Sequence, residues 1–206
     1  MAHPRVFKGM HFNHNLDPGG NLPATPADGI QHRANSRVTT HLRTSPGGPV
    51  AHTWSFTFLK YWPGAITRCH LTNPVLTGPM TGCILCTYVK GGHNMIAHIG
   101  TADSPQDPRT VSVKAAWTTY KAAGVTQLKG RKPTQVITQH DVIASLTNQP
   151  ITINSPIPQI WGYFINANDA WALLIRKTVT GSQVSHQILT ARPMQLLPWA
   201  QIPGSW

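Results

Sequence analysis

The stretch Leu76-Thr-Gly-Pro-Met-Thr-Gly-Cys-Ile-Leu-Cys-Thr-Tyr-Val-Lys-Gly-Gly-His-Asn-Met-Ile-Ala-His-Ile-Gly-Thr101 decides how this sequence folds. Pro79 and Gly82 punctuate its approach to a strand over Cys83–Lys90. Lys90-Gly-Gly-His-Asn94 then reverses the chain, and Asn94–Ile99 returns as a second strand. In an antiparallel hairpin the start of the first strand lies beside the end of the second. Residues distant in sequence, Cys83 and His98, are therefore expected to be neighbours in space.

Outward from this hairpin the texture is the same. Trp54, Phe56 and Phe58 alternate within His52–Phe58, as on a half-buried strand. Further strands are expected over Ala65–Leu71, Thr134–Gln139, Gln159–Asn166, Ala170–Val179 and Val184–Thr190, with Asn166–Asp169 as a hairpin turn. One helix carries both boundary signals: Asp107 can cap it, Pro108 opens it and Gly124 closes it. Val113, Ala116, Tyr120 and Ala123 have the spacing of its core face, while Lys114, Trp117 and Lys121 fall on a neighbouring, solvated face. Residues 1–49 are rich in Pro, Gly and His and read as irregular; residues 50–206 read as the catalytic part of a single domain. The class expected is α+β.

Composition narrows the chemistry. The 206 residues carry a net charge of +11, and all six acids are aspartates: Asp17, Asp28, Asp103, Asp107, Asp141 and Asp169. Without a glutamate, a paired-glutamate mechanism or a His-Glu zinc signature is excluded. Three cysteines do not make a disulfide framework. No apolar run is long enough to span a bilayer, and the first residues do not read as a cleavable signal peptide.

A thiol becomes a strong nucleophile when it ionises, and an adjacent imidazole can take its proton. Gly82 before Cys83 leaves room for a substrate carbonyl, and the Cys83 backbone N–H is a natural oxyanion donor. Thr77 is the candidate orienting group for His98, since carboxylates are scarce.

Thr77-x-x-x-Thr81-Gly82-Cys83 followed by His98-Ile-Gly-Thr101 resembles the Thr/Cys/His site of bacterial glutamine deamidases. That family includes the necrotizing-factor catalytic domains, the Burkholderia lethal factor and the chemoreceptor deamidase CheD. The toxins carry Leu-Ser-Gly-Cys where this chain has Met80-Thr81-Gly82-Cys83, and the necrotizing factors carry His-Thr-Gly-Thr where it has His98-Ile99-Gly100-Thr101. The resemblance implies a cysteine-dependent hydrolase that converts glutamine to glutamate in a target protein, with transglutamination as a side reaction. It implies catalytic roles for Cys83, His98 and Thr77, with Gly82 and Thr81 supporting the motif, and neither cofactor nor metal. The targets it suggests are a host small GTPase or an RNA helicase of translation initiation. The protein would then be a monomeric bacterial effector or toxin, exported by a specialised system and acting in host cytoplasm. The expected architecture is a sandwich of two mixed or antiparallel β-sheets flanked by a few helices.

Competing readings attach to the same residues. Cys83 and Cys86 form Cys-x-x-Cys, but on a strand they point to opposite faces, which speaks against a zinc or redox pair. Cys69 reads as structural. His3, His11, His14, His32 and His41 lack acidic partners, which makes a metal site there improbable. Trp161, Trp171, Trp199 and Trp206 read as core or edge packing. Arg109, Lys114, Lys121, Lys129, Arg131 and Lys132 form a run with no acid between them. It suits an acidic protein partner, and the alternative function is a basic module that binds nucleic acid or protein without catalysis.

Overall fold

The structure is a computed structural model that describes residues 7–13, 30–31, 35–101, 104–147, 157–180 and 183–206. His3, His14, His32, Asp17, Asp28 and Asp103 lie outside the described residues. In chain order the elements are β1 (His11–Phe12), β2 (Ile30–Gln31), β3 (Asn35–Arg43), β4 (Val50–Lys60), β5 (Ile66–His70), β6 (Val75–Met80), β7 (Ile84–Lys90) and β8 (His93–Ile99). There follow α1 (Pro108–Ala122), β9 (Thr126–Arg131), α2 (Gln139–Thr147), β10 (Gln159–Asn166), β11 (Asp169–Thr180), β12 (Gln183–Pro193) and β13 (Leu197–Pro198).

Period-two alternation builds two sheets. One closes on itself in the order β1-β12-β11-β10-β6-β4-β3, and the other is six-stranded in the order β13-β9-β7-β8-β5-β2. Both are mixed, since β4 runs parallel to β6 and β2 parallel to β5. Trp54, Phe56 and Phe58 point into the barrel, joined by Leu76, Trp161, Tyr163 and Trp171. The six-stranded sheet lies against the barrel on one face and carries α1 on the other. The result is the expected α+β sandwich, with one of its sheets closed.

The two layers meet at a second cluster containing Leu59, Val75 and Phe164 from the barrel and Cys83, Leu85 and Ile96 from the β7–β8 hairpin. Gly162 on β10 is the point of closest approach: a Cβ there would lie 2.1 Å from Leu85 Cδ1. Apolar contact of this kind is worth about 25 cal/mol per Å² removed from water, so the hairpin is clamped mainly by burial.

α1 begins where its signals place it, with the Asp107 carboxylate accepting from the Arg109 backbone N–H at 2.8 Å. Its buried stripe is Thr110, Val113, Trp117 and Tyr120. Trp117, expected on the solvated face, is fully buried, whereas Ala123 is exposed. Spacing explains this, because 113, 117 and 120 share a stripe that Ala123 leaves.

Two further expectations are corrected. Thr134–Gln139 is not a strand: Pro133–Gln135 is a 3-10 turn and α2 starts at Gln139. Thr138 and Asp141 cap it reciprocally, the Thr138 N–H bonding Asp141 Oδ2 at 2.9 Å and the Asp141 N–H bonding Thr138 Oγ1 at 3.3 Å. Asn35–Arg43, read as irregular, is a nine-residue strand paired with β4. No helix among the described residues is long and apolar enough to cross a membrane.

Candidate functional site

The residues singled out in the hairpin lie on its face toward the barrel, where Thr77 reaches His98 but no hydrogen bond joins Cys83 to His98. β7 and β8 pair with Leu85 opposite His98, and β5 pairs with β8 so that Thr67 is also opposite His98. Cys83, two residues before Leu85, shares this face and sits diagonal to His98. Thr77 arrives from the other layer: on β6, Leu76 enters the barrel core and the alternation turns Thr77 outward.

Thr77 Oγ1 lies 2.7 Å from His98 Nδ1. His98 is 1% exposed, and its Nε2 has no hydrogen-bond partner. Orphaned buried nitrogens occur elsewhere, at Trp117 Nε1 and Trp161 Nε1, but an indole N–H can only donate. His98 Nε2, unlike these indoles, can accept a proton when Nδ1–H donates to Thr77. Burial draws the His98 pKa down to about 3, so the ring rests neutral.

Cys83 is fully buried, and burial pushes its thiol up to about 11. Hydrogen bonding from the Thr101 and Gly82 backbone and from the Thr101 and Tyr61 side chains offsets part of that rise. The Cys83 Sγ–Thr101 carbonyl contact is long, at 4.0 Å. Cys83 thus rests as a thiol and His98 as a neutral imidazole, with no hydrogen bond between them.

Thr81 stands on the exposed bend before β7 and Gly82 is half-buried beside it. A Cβ on Gly82 would meet only Thr101 Oγ1, at 3.8 Å, so the glycine is not demanded by local packing. Cys86 faces α1 with Ile84 and Ala97, opposite to Cys83. Cys69 is buried, and all three cysteines are free thiols.

Two neighbours of these residues, Tyr61 and Thr67, lie outside the motif, and Thr101 lies in it without an assigned role. Tyr61 stacks on the His98 ring with centroids 4.9 Å apart and donates its hydroxyl to the Thr101 carbonyl at 3.2 Å. Thr67 places a buried hydroxyl without a hydrogen-bond partner at the position across from His98. Thr101 supplies the carbonyl that both Tyr61 and Cys83 reach. Nothing local marks Tyr61, which sits in the β4–β5 connection, and Thr67 becomes visible only through the β5–β8 register.

Two pockets lie beside this centre, and neither is lined by Cys83, His98 or Thr77. A cleft of about 600 Å³ is lined by Tyr61, Met80, Thr81 and residues around Pro158. A smaller pocket of about 180 Å³ is lined on one side by Gly82 and Thr101 and on the other by Lys114 and Lys132.

No protein family model matches the chain, and no curated protein matches it. Among solved structures it is similar to the C-terminal domain of CNFy from Yersinia pseudotuberculosis, at 11% identity and a TM-score of 0.28. The likeness covers 68% of this chain and 62% of that one, less than two thirds of its length.

Proposed function

We propose that the protein is a cysteine-dependent protein-glutamine deamidase. The observation that carries the reading is the 2.7 Å contact between Thr77 and His98, made across two sheets, on the face of the hairpin that also bears Cys83. A glutamine side chain enters from the cleft beside Tyr61 and Thr81. His98 Nε2 takes the thiol proton as Cys83 Sγ attacks the carboxamide carbon, which suits a pair that rests neutral. The Cys83 backbone N–H holds the oxyanion. His98 returns the proton to departing ammonia, then activates the water that hydrolyses the thioester and frees a glutamate. Thr77 positions His98 by accepting from Nδ1–H. An amine in place of water yields transglutamination.

The same reading makes the protein a bacterial effector or toxin, exported by a specialised system and acting on a host protein in the cytoplasm. A small GTPase or a translation-initiation helicase is the substrate class to try first. Intact-mass measurement of such targets after incubation should show a gain of about one dalton per converted side chain, as NH₂ is replaced by OH. Ammonia release from carbobenzoxy-glutaminyl-glycine gives a target-independent assay. Conversion that survives Cys83→Ser removes the assignment.

A further inference from the structure

The pocket beside Gly82 has a composition that the deamidase reading leaves unused. Lys114 from α1 and Lys132 from the end of β9 converge on it. Lys132 is drawn down from its ordinary pKa first by burial and then by the Lys114 charge, so the two ammonium groups feel each other. Among the described residues neither lysine is in an ion pair, the pairs being Arg109–Asp107 and Arg192–Asp141, and Asp103 lies outside the described residues. Lys114 is held in place by the Trp206 ring, its Nζ 5.0 Å from the centroid. The Lys132 ammonium lies where it does because Gly204 has no side chain, a Cβ there falling 2.8 Å from Nζ. Thr101 directs its hydroxyl toward Gly82 on the opposite wall. Two like charges converge on a cavity of about 180 Å³ whose described lining holds no carboxylate side chain, a composition suited to an anion.

We propose that this pocket is an anion subsite that takes the carboxylate of an aspartate or glutamate flanking the glutamine in the protein substrate. The inference rests on the deamidase reading for its role and on the pocket's own geometry for its existence. The pocket adjoins the residue before Cys83, so a carboxylate seated there fixes the neighbouring stretch of substrate chain against the nucleophile. It also gives the +11 charge a local address, where a general basic surface would attract any acidic partner.

Two measurements test it separately. In the first, N-acetyl-aspartate is titrated into the isotopically labelled protein, with N-acetyl-asparagine as control. Saturable shifts of the Gly82, Thr101 and Gly204 amides are expected with the aspartate alone. They should weaken with added salt and vanish in Lys114→Gln/Lys132→Gln, and Lys114→Arg should retain them. In the second, acetyl-Asp-Gln-Asp-amide and acetyl-Asn-Gln-Asn-amide are compared as substrates. The acidic peptide should be favoured by about tenfold in kcat/KM, through KM, and the ratio should fall to about one in the double variant. Saturable shifts without turnover of either peptide would uphold the site and remove the deamidase reading. Turnover without an acidic preference, or absence of saturable shifts, overturns the subsite.

Discussion

Cys83 and Cys86 stand three residues apart at one end of the same hairpin, and both are wholly buried. Cys86 faces α1 among Ile84, Ala97, Val113 and Trp117, and its sulfur contacts only the Ala97 carbonyl, at 3.9 Å. Burial raises its thiol beyond the reach of ordinary titration. Cys83 faces the barrel among Thr101, Tyr61 and Gly82, whose hydrogen bonding pulls its thiol back to about 11. Burial raises both thiols, and the richer polar company of Cys83 offsets more of that rise. Both sides of the hairpin hold satisfied and unsatisfied polar groups, Trp117 Nε1 being without a hydrogen bond on the α1 side. On the α1 side the polar group of Tyr88 meets Tyr120, hydroxyl to hydroxyl at 3.3 Å. On the barrel side Thr67 Oγ1 and His98 Nε2 are left without hydrogen bonds. Each costs about 1–3 kcal/mol, and groups orphaned together in one place are candidates for chemistry.

The contrast breaks most easily at the sulfurs. Cys83→Ser should lower glutaminase turnover by roughly three orders of magnitude or more, as expected when the nucleophile itself is lost. Cys86→Ser should leave turnover of the folded protein within a few-fold and instead cost about 1–3 kcal/mol in denaturant unfolding, since it puts a hydroxyl among apolar side chains. Equal activity losses in the two variants would erase the distinction between the faces.

The next effect is on stability, through His98. Its pKa is about 3 when folded and 6.5 otherwise, so between these values the unfolded chain holds a proton that the folded chain refuses. Binding more protons when unfolded means that His98 contributes stability in full above 6.5 and loses it as the pH falls toward 3. His98→Asn keeps an amide near the Nδ1 position and removes the titration. The variant's denaturant midpoint should therefore fall less steeply than the parent's between about pH 7 and about pH 4. Parallel curves would show that the imidazole is not held neutral at the sheet interface.

The packing of that interface gives the third test. Gly162→Ala presses a methyl group into Leu85, with a cost of about 1–3 kcal/mol. Because Leu85 shares its face with Cys83, turnover should drop alongside stability. Gly82→Ala has open space around it and should change stability by less than about 0.5 kcal/mol.

How much of this was legible depends on whether the signal is local. The hairpin, its turn and the α1 cap are written in neighbouring residues, and the observed strands follow them within a residue or so. Thr77 was legible from a motif, but its role depends on β6 lying across from β8, which no local pattern encodes. Alternation on β6 was hidden by Gly78-Pro79, which read as turn punctuation. α2 is hidden although Thr138-Gln-His-Asp141 is a capping signature, because Thr134–Gln139 reads as a strand. β3 was masked by the surrounding Pro/Gly clusters, and its partner β4 was needed to identify it. Tyr61 is the extreme case, since stacking on His98 is purely tertiary.

Tyr61 also supplies the smallest and most selective test. Tyr61→Phe preserves the ring that stacks on His98 and removes the hydroxyl that reaches Thr101 and Cys83. Losing a partly buried hydrogen bond costs about 0.5–1.5 kcal/mol, so unfolding should shift only slightly. The thiol responds more specifically. Hydrogen bonding from Tyr61 favours the charged sulfur, so without it the Cys83 pKa rises and alkylation by iodoacetamide moves to higher pH. Cys86 has no such donor, and its labelling should not move. At a fixed alkaline pH the ratio of Cys83 to Cys86 labelling, read by peptide mass mapping, should fall by a few-fold in the variant, the size of one modest hydrogen bond. An unchanged ratio would mean that the hydroxyl serves only the Thr101 carbonyl, and that the polar surroundings separating the two thiols come from Thr101 and the Gly82 backbone.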